Sequence, residues 1–105
     1  MSSETQKKRK TADLLTMCLK ARKAVKGFDS AAEEVRAGRA CCLLVAADAS
    51  DKTVKEAGFL CGKAGIPVLR TELTKAETGA LCGKETAVIA VCDKGFAGGF
   101  AKIIT

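Results

Sequence analysis

Three stretches of the sequence join residue types that could do chemistry. Cys92-Asp93-Lys94 sets a thiol beside a cation just ahead of a helix start, where a lowered pKa would make it a nucleophile. Gly79-Ala-Leu-Cys-Gly83-Lys84-Glu85 carries the glycines and the lysine of a phosphate-cradling loop. Lys26-Gly27 places a cation and a glycine ahead of Phe28, Ala31, Ala32 and Val35, which recur at helical spacing, so the open amides of that helix start form an anion site. The first two fail on their own terms. Cys92 closes the continuous apolar run 87–92 and reads as a core thiol. The glycine-lysine stretch is one residue short between its glycines, has Glu85 where a magnesium-binding hydroxyl would stand, and precedes a strand instead of following one. The third survives with a modification. Asp29 opposes a phosphate there, yet its carboxylate can accept from the N–H donors on the Watson–Crick edge of guanine.

What the sequence lacks narrows the choice further. Histidine, tyrosine and tryptophan are all absent, which removes the commonest general base and most stacking groups together. Asp29, Asp48, Asp51, Glu77 and Asp93 stand where helix caps are expected, so capping accounts for the carboxylates that would otherwise attract notice. Cys18, Cys41, Cys42, Cys61, Cys82 and Cys92 fall inside apolar periods, form no CxxC pair and have no histidine with which to hold zinc. They read as reduced core thiols. Gly95-Phe-Ala-Gly98-Gly99-Phe lacks the glycine order of a dinucleotide loop and opens a helix. No aromatic RNP pattern, zinc finger or helix-turn-helix signature is present. The expectation is a protein with no catalytic residue, no metal and no cofactor.

The elements that must position the surviving site follow from periodicity. The run 87–92 is too unrelieved for a strand with one wet face, so it predicts a core strand between two layers of helices. Thr11 reads as the N-cap of a first helix whose stripe is Leu14, Leu15, Cys18 and Leu19. Residues 24–27 read as a short edge strand, and Ser30-x-x-Glu33 fits a capping box for a second helix ending at Gly38. Residues 41–47 form a second apolar strand, followed by a helix capped at Ser50 or Asp51 and closed by Gly65. Residues 66–69 read as a strand whose Pro67 marks an edge or a start. Thr74-x-x-Glu77 offers a capping box for the next helix, and Asp93 caps a last one carrying Phe96, Phe100, Ile103 and Ile104. Such alternation from Cys41 onward argues for a largely parallel sheet inside an α/β domain.

Charge is unevenly shared along this order. The chain has 105 residues and a net charge of +6, with ten Lys/Arg against five Asp/Glu in residues 1–40 and eight against seven in 41–105. That asymmetry favours an anionic partner such as nucleic acid. Residues 1–10 have no apolar period and end in Lys7-Lys8-Arg9-Lys10, so they are expected to form a disordered basic tail ahead of a single domain over 11–105. There is no run of 18 apolar residues and no signal pattern at the start, which points to a cytoplasmic protein with no membrane partner.

Assembled in order, these motifs resemble the ribosomal protein L-seven-Ae superfamily of kink-turn RNA binders, most closely its bacterial YlxQ type. The resemblance runs from about Leu14 to Ile104 and is carried by Leu14-Leu15 through Arg22-Lys23, by Gly27 to Gly38, by LLVAADAS at Leu43 to Ser50, by Gly65-Ile-Pro-Val68, and above all by GKETAVIAVCDKGFA at Gly83 to Ala97. It implies a three-layer α-β-α sandwich around a central mixed, four-stranded sheet, and RNA binding without catalysis. It further implies association with ribosomal or other structured RNA, or with the ribosome, by a monomer. The RNA-facing residues it implies are Lys26, Gly27, Phe28, Asp29, Ser30 and Glu33 at the second helix, with Lys84, Glu85, Thr86 and Ala87 in the loop before the last strand. In the family's Gly-x-Asn-Glu-x-x-Lys segment, Gly27 matches the glycine, but Asp29, Ser30 and Glu33 replace the three polar residues. Glu33 in place of lysine turns an attraction for phosphate into a repulsion. That departure keeps a second reading in view, a protein-interaction module on the same fold with weakened RNA binding.

Overall fold

The computed structural model describes residues 3–104, with side chains from Gln6 onward. Helix α1 spans Ser3–Lys20 and leads into strand β1, Ala24–Lys26, and helix α2, Phe28–Arg36. Strand β2, Cys42–Val45, is followed by helix α3, Asp51–Ala64, and strand β3, Val68–Arg70. Helix α4, Lys75–Cys82, strand β4, Val88–Val91, and helix α5, Lys94–Ile104, complete the order.

Strand β4 sits inside the sheet, whose order is β1-β4-β2-β3. All four of its residues are buried, as are all four of β2. Their side chains alternate between two cores. Leu43, Val45, Val88 and Ala90 face α2 and α3, where they meet Ala31, Val35, Ala57 and Cys61. Cys42, Leu44, Ile89 and Val91 face α1, α4 and α5, where they meet Leu15, Cys18, Cys82 and Phe100. The expected three-layer sandwich around a mixed four-stranded sheet is therefore what the chain builds.

Strand direction departs from the reading of alternation alone. Only β2 and β3 run parallel; β4 is antiparallel to both β1 and β2. The reason is the position of α4. Its 8 residues extend only about 12 Å, and they stay at the sheet end where β2 and β3 finish. Lys75 N–H donates to Asp48 Oδ1 at 2.7 Å, just beyond β2, and the Lys75 carbonyl accepts from Thr86 N–H at 3.5 Å, just before β4. The chain is thus returned to the end it left and must enter β4 in the opposite direction.

Two local expectations are also corrected. A disordered tail over residues 1–10 is not found from Ser3 onward, because α1 runs unbroken through Lys7–Lys10; Met1 and Ser2 lie outside the described residues. Gln, Lys and Arg are good helix formers, and Lys8 Nζ lies 3.0 Å from Glu77 Oε2 on α4, which offsets part of the repulsion among the neighbouring cations. Thr11 is accordingly a buried mid-helix residue and not an N-cap. Helix α2 starts at Phe28, with its N-cap at Gly27, three positions before the expected Ser30 cap, because Gly27 at φ 92 turns the backbone directly from β1 into the helix and Phe28 packs on the core behind it.

Other caps follow the sequence. Ser50 Oγ accepts from Thr53 N–H at 3.2 Å, and Thr74 with Glu77 forms the reciprocal capping box at 3.1 and 3.0 Å. Asp93 Oδ1 accepts from Phe96 N–H at 3.0 Å at the start of α5. Phe100 is completely buried between α5 and the sheet. Phe100→Ala is expected to lower stability by about 3–5 kcal/mol, read as a lower midpoint of urea unfolding; a loss below about 1 kcal/mol would show that this core collapses to fill the space.

Candidate functional site

The antiparallel entry of β4 brings the expected site residues to one end of the sheet. Gly27 N–H donates to the Val88 carbonyl at 2.9 Å, and Ala46 N–H donates to the Ala87 carbonyl at 2.9 Å. Lys26 pairs with Ile89 across the β1–β4 ladder. The start of α2 and the loop 83–87 are therefore adjacent, although more than fifty residues separate them in sequence.

At α2 the site is a helix start left open. Gly27 supplies no side-chain cap, and the first bond back along the helix is Ala31 N–H to the Gly27 carbonyl at 2.9 Å. The amides of Phe28, Asp29 and Ser30 have no carbonyl earlier in the helix to meet, so this end carries the positive pole of the helix dipole. Asp29 and Ser30 are exposed, whereas Phe28 is half-buried. Asp29 and Glu33, one turn apart and both exposed, form an acidic stripe running away from that pole.

Lys26 serves both helices at this end. Its Nζ donates to the Cys82 carbonyl, the last residue of α4. The ammonium thus neutralises the negative pole of α4 beside the positive pole of α2. An anion approaching this end meets one pole and is shielded from the other.

The loop after α4 is held from below. Thr86 is buried, and its hydroxyl donates to the Lys84 carbonyl at 2.8 Å while its N–H donates to Lys75. Thr86 shapes the loop from within, and Lys84 and Glu85 project from it into solvent. Glu85 Oε1 is 4.0 Å from Lys75 Nζ, a weak surface pair. Among the described residues no ion pair holds Lys84. Ala87 turns inward and joins the α2–α3 core. No ion pair joins Glu33 to this loop, so the structure unites Lys26 through Ser30 with 84–87 and leaves Glu33 one turn removed.

Two residues of this site escaped the sequence reading. Lys75 braces the loop through its carbonyl and its ammonium, and Gly79 makes room for it. A Cβ on Gly79 would lie 2.7 Å from Glu85 Cα and 2.8 Å from Glu85 N, backbone atoms that cannot step aside. An isolated glycine inside a helical pattern was the available signal, since it marks either a close approach or a cost.

Residues 9–98 match the ribosomal protein L7Ae/L30e/S12e/Gadd45 family. The chain belongs to this family. It is 39% identical over 85 residues to the RNA-binding protein YlxQ of Bacillus subtilis strain 168, covering 80% of this chain and 84% of that protein. A solved structure from Bacillus halodurans C, titled as a protein with unknown function, superposes with a TM-score of 0.83 at 29% identity, covering 90% of this chain and 95% of that one. The Giardia lamblia 15.5kD RNA binding protein superposes with a TM-score of 0.75 at 20% identity, over 94% and 85% of the two chains, which is a likeness of fold. In this L7Ae-family chain no helix among the described residues is long and apolar enough to cross a membrane, and no group of metal-ligating side chains forms among them.

The thiols are poorly suited to nucleophilic work. Burial pushes Cys18 from an ordinary 9.0 up to about 11 and Cys42 up to about 12. Burial also raises Cys61, Cys82 and Cys92. Cys92, the thiol beside Lys94, is thus shifted away from reactivity, with the cations Arg39 and Lys23 opposing burial only in part.

Two tests follow from this geometry. Helix propensity alone would make Gly79→Ala stabilising by about 1 kcal/mol, so a net loss of stability in urea, with shifted amide signals at 84–86, is the expected signature of the clash. For the thiols, the native chain keeps protons that the unfolded chain sheds above its ordinary 9.0, so their stabilising contribution is complete below pH 9 and is lost as pH rises toward 11 and 12. The urea midpoint under reducing conditions is expected to fall across that window, and to fall less in Cys18→Ala; an equal fall in both proteins would assign the effect to lysines.

Proposed function

We propose that this L7Ae-family chain is a non-enzymatic RNA-binding protein whose contact face is the open start of α2 together with the loop 84–87. The observation that carries the reading is the juxtaposition of the uncapped amides after Gly27 with Lys84, while Lys26 neutralises the end of α4 between them. A helix start of this kind offers its open amides to a phosphate. Asp29 and Ser30, exposed on the first turn, are placed to read base edges: a carboxylate accepts from guanine N–H groups, and a hydroxyl accepts or donates. The family, and the name of the Bacillus subtilis relative as an RNA-binding protein, support the same reading.

The finer form of the proposal is a structured target, kink-turn-like or ribosomal, bound in the cytoplasm by a monomer. A kink turn offers sheared G·A pairs whose guanine edges suit Asp29, and its bent backbone brings phosphates to the α2 pole. The acidic stripe of Asp29 and Glu33 repels a uniform duplex backbone, so shape and base edges carry the selectivity here.

A salt titration against a kink-turn RNA, the same RNA with its G·A pairs replaced, and a plain duplex tests both levels. The kink-turn RNA is expected to bind tightest. Lys84→Ala is expected to lower affinity for it and to reduce the slope of log K against log salt by about one. Equal binding of all three RNAs would remove kink-turn selectivity from the reading, and a salt slope unchanged in Lys84→Ala would remove the loop from the contact face.

A further inference from the structure

Helices α2 and α3 leave between them a groove of about 1010 Å³ on the outer side of the sandwich. Its floor is apolar, with Phe28 and Val35 from α2 and Leu60 and Ala64 from α3. Phe59 stands at its edge with 70% of its surface in solvent, and with Met17 it is one of two exposed large hydrophobic residues among those described. Lys63 Nζ lies 4.9 Å from its centroid, so a cation covers one face of the ring. The rim is basic: Arg36, Lys55 and Lys63 line it against the single carboxylate of Glu56, which is itself 4.0 Å from Lys52.

We infer that this groove docks an acidic amphipathic helix from a partner protein. An apolar trough between two helices, rimmed by charge of one sign, takes a helix that presents apolar anchors at i, i+3 or i+4 and i+7 and opposite charges beside them. The charge of the rim decides against a second copy of this chain. Two such rims would repel, on molecules that each carry +6. The acidic helix a second copy could offer, α2, already spends its apolar face on Ala31, Ala32 and Val35 in its own core. Nucleic acid fits the rim but not the floor, since Val35, Leu60 and Ala64 offer no stacking platform, Phe28 is half-buried against the core, and Lys63 already occupies one face of Phe59. The inference stands apart from the RNA reading, although Phe28 borders both surfaces.

The test pans a displayed library of random peptides, each about 16 residues and so roughly 24 Å long as a helix, on the full chain with counter-selection on Phe59→Ser. Enrichment of sequences with apolar residues at helical spacing and flanking Asp or Glu is expected. An enriched peptide should then shift amide signals on α2 and α3, weaken with salt, lose about tenfold or more in affinity to Phe59→Ala, and bind worst to Lys55→Glu with Lys63→Glu. Phe59 and both lysines are exposed, so these variants keep the fold, and an unchanged circular dichroism spectrum checks that. No enrichment over the counter-selected protein, or enrichment of basic or neutral peptides, overturns the proposal. So does self-association that Phe59→Ala abolishes, which would assign the groove to a second copy, or displacement of the peptide by RNA with shifts at Phe59, which would assign it to nucleic acid.

Discussion

The pairing of β4 with both β1 and β2 is the constraint on which the structure depends. Among the described residues β1 pairs only with β4, so without β4 no ladder joins it to the rest of the sheet. Its alternating side chains also fix both helix layers: Val88 and Ala90 take one, Ile89 and Val91 the other. A shift of one residue in its register would exchange those faces. The continuous apolar character of the strand is what makes two covering layers necessary, and the position of α4 is what sets its direction.

That direction has an electrostatic result. Because β4 enters where β1 ends, the open pole of α2 and the closed pole of α4 come to lie side by side. Left alone, the two poles would partly cancel toward an approaching anion. Lys26 prevents this by donating to the Cys82 carbonyl, leaving the amides after Gly27 as the dominant field. Asp29 and Glu33 then limit where negative charge is welcome, and Lys84 extends the favourable region along the loop.

How much of this was legible in the sequence depended on the range of the interaction. The reciprocal cap of Thr74 and Glu77, the Ser50 cap and the Asp93 cap involve partners three residues apart, and all could be read directly. The Ser30 cap was misread because a glycine at the strand exit and the docking of Phe28 outweighed a good local motif. The helical start of α1 was hidden because Lys8 finds Glu77 only in the folded chain. Asp48 was recognised as a capping carboxylate, yet it serves α4 and not the helix that follows it. Alternation gave the order of elements but not strand direction, which turns on where an eight-residue helix lies. Within the site, Lys26-Gly27 announced itself by type, while Gly79 against Glu85 is a tertiary contact with only a lone helical glycine to mark it.

The link from Lys26 to Cys82 spans 56 positions and has a meaning in time as well as in space. The first half of the cradle is synthesised early, the second half late, and the strand that joins them comes last in the sheet. A growing chain that has exposed α1, β1 and α2 therefore displays cations and a glycine turn but no assembled cradle. Loop closure must precede any reward from these long-range pairings, so the surface is complete only once the sheet has closed around β4.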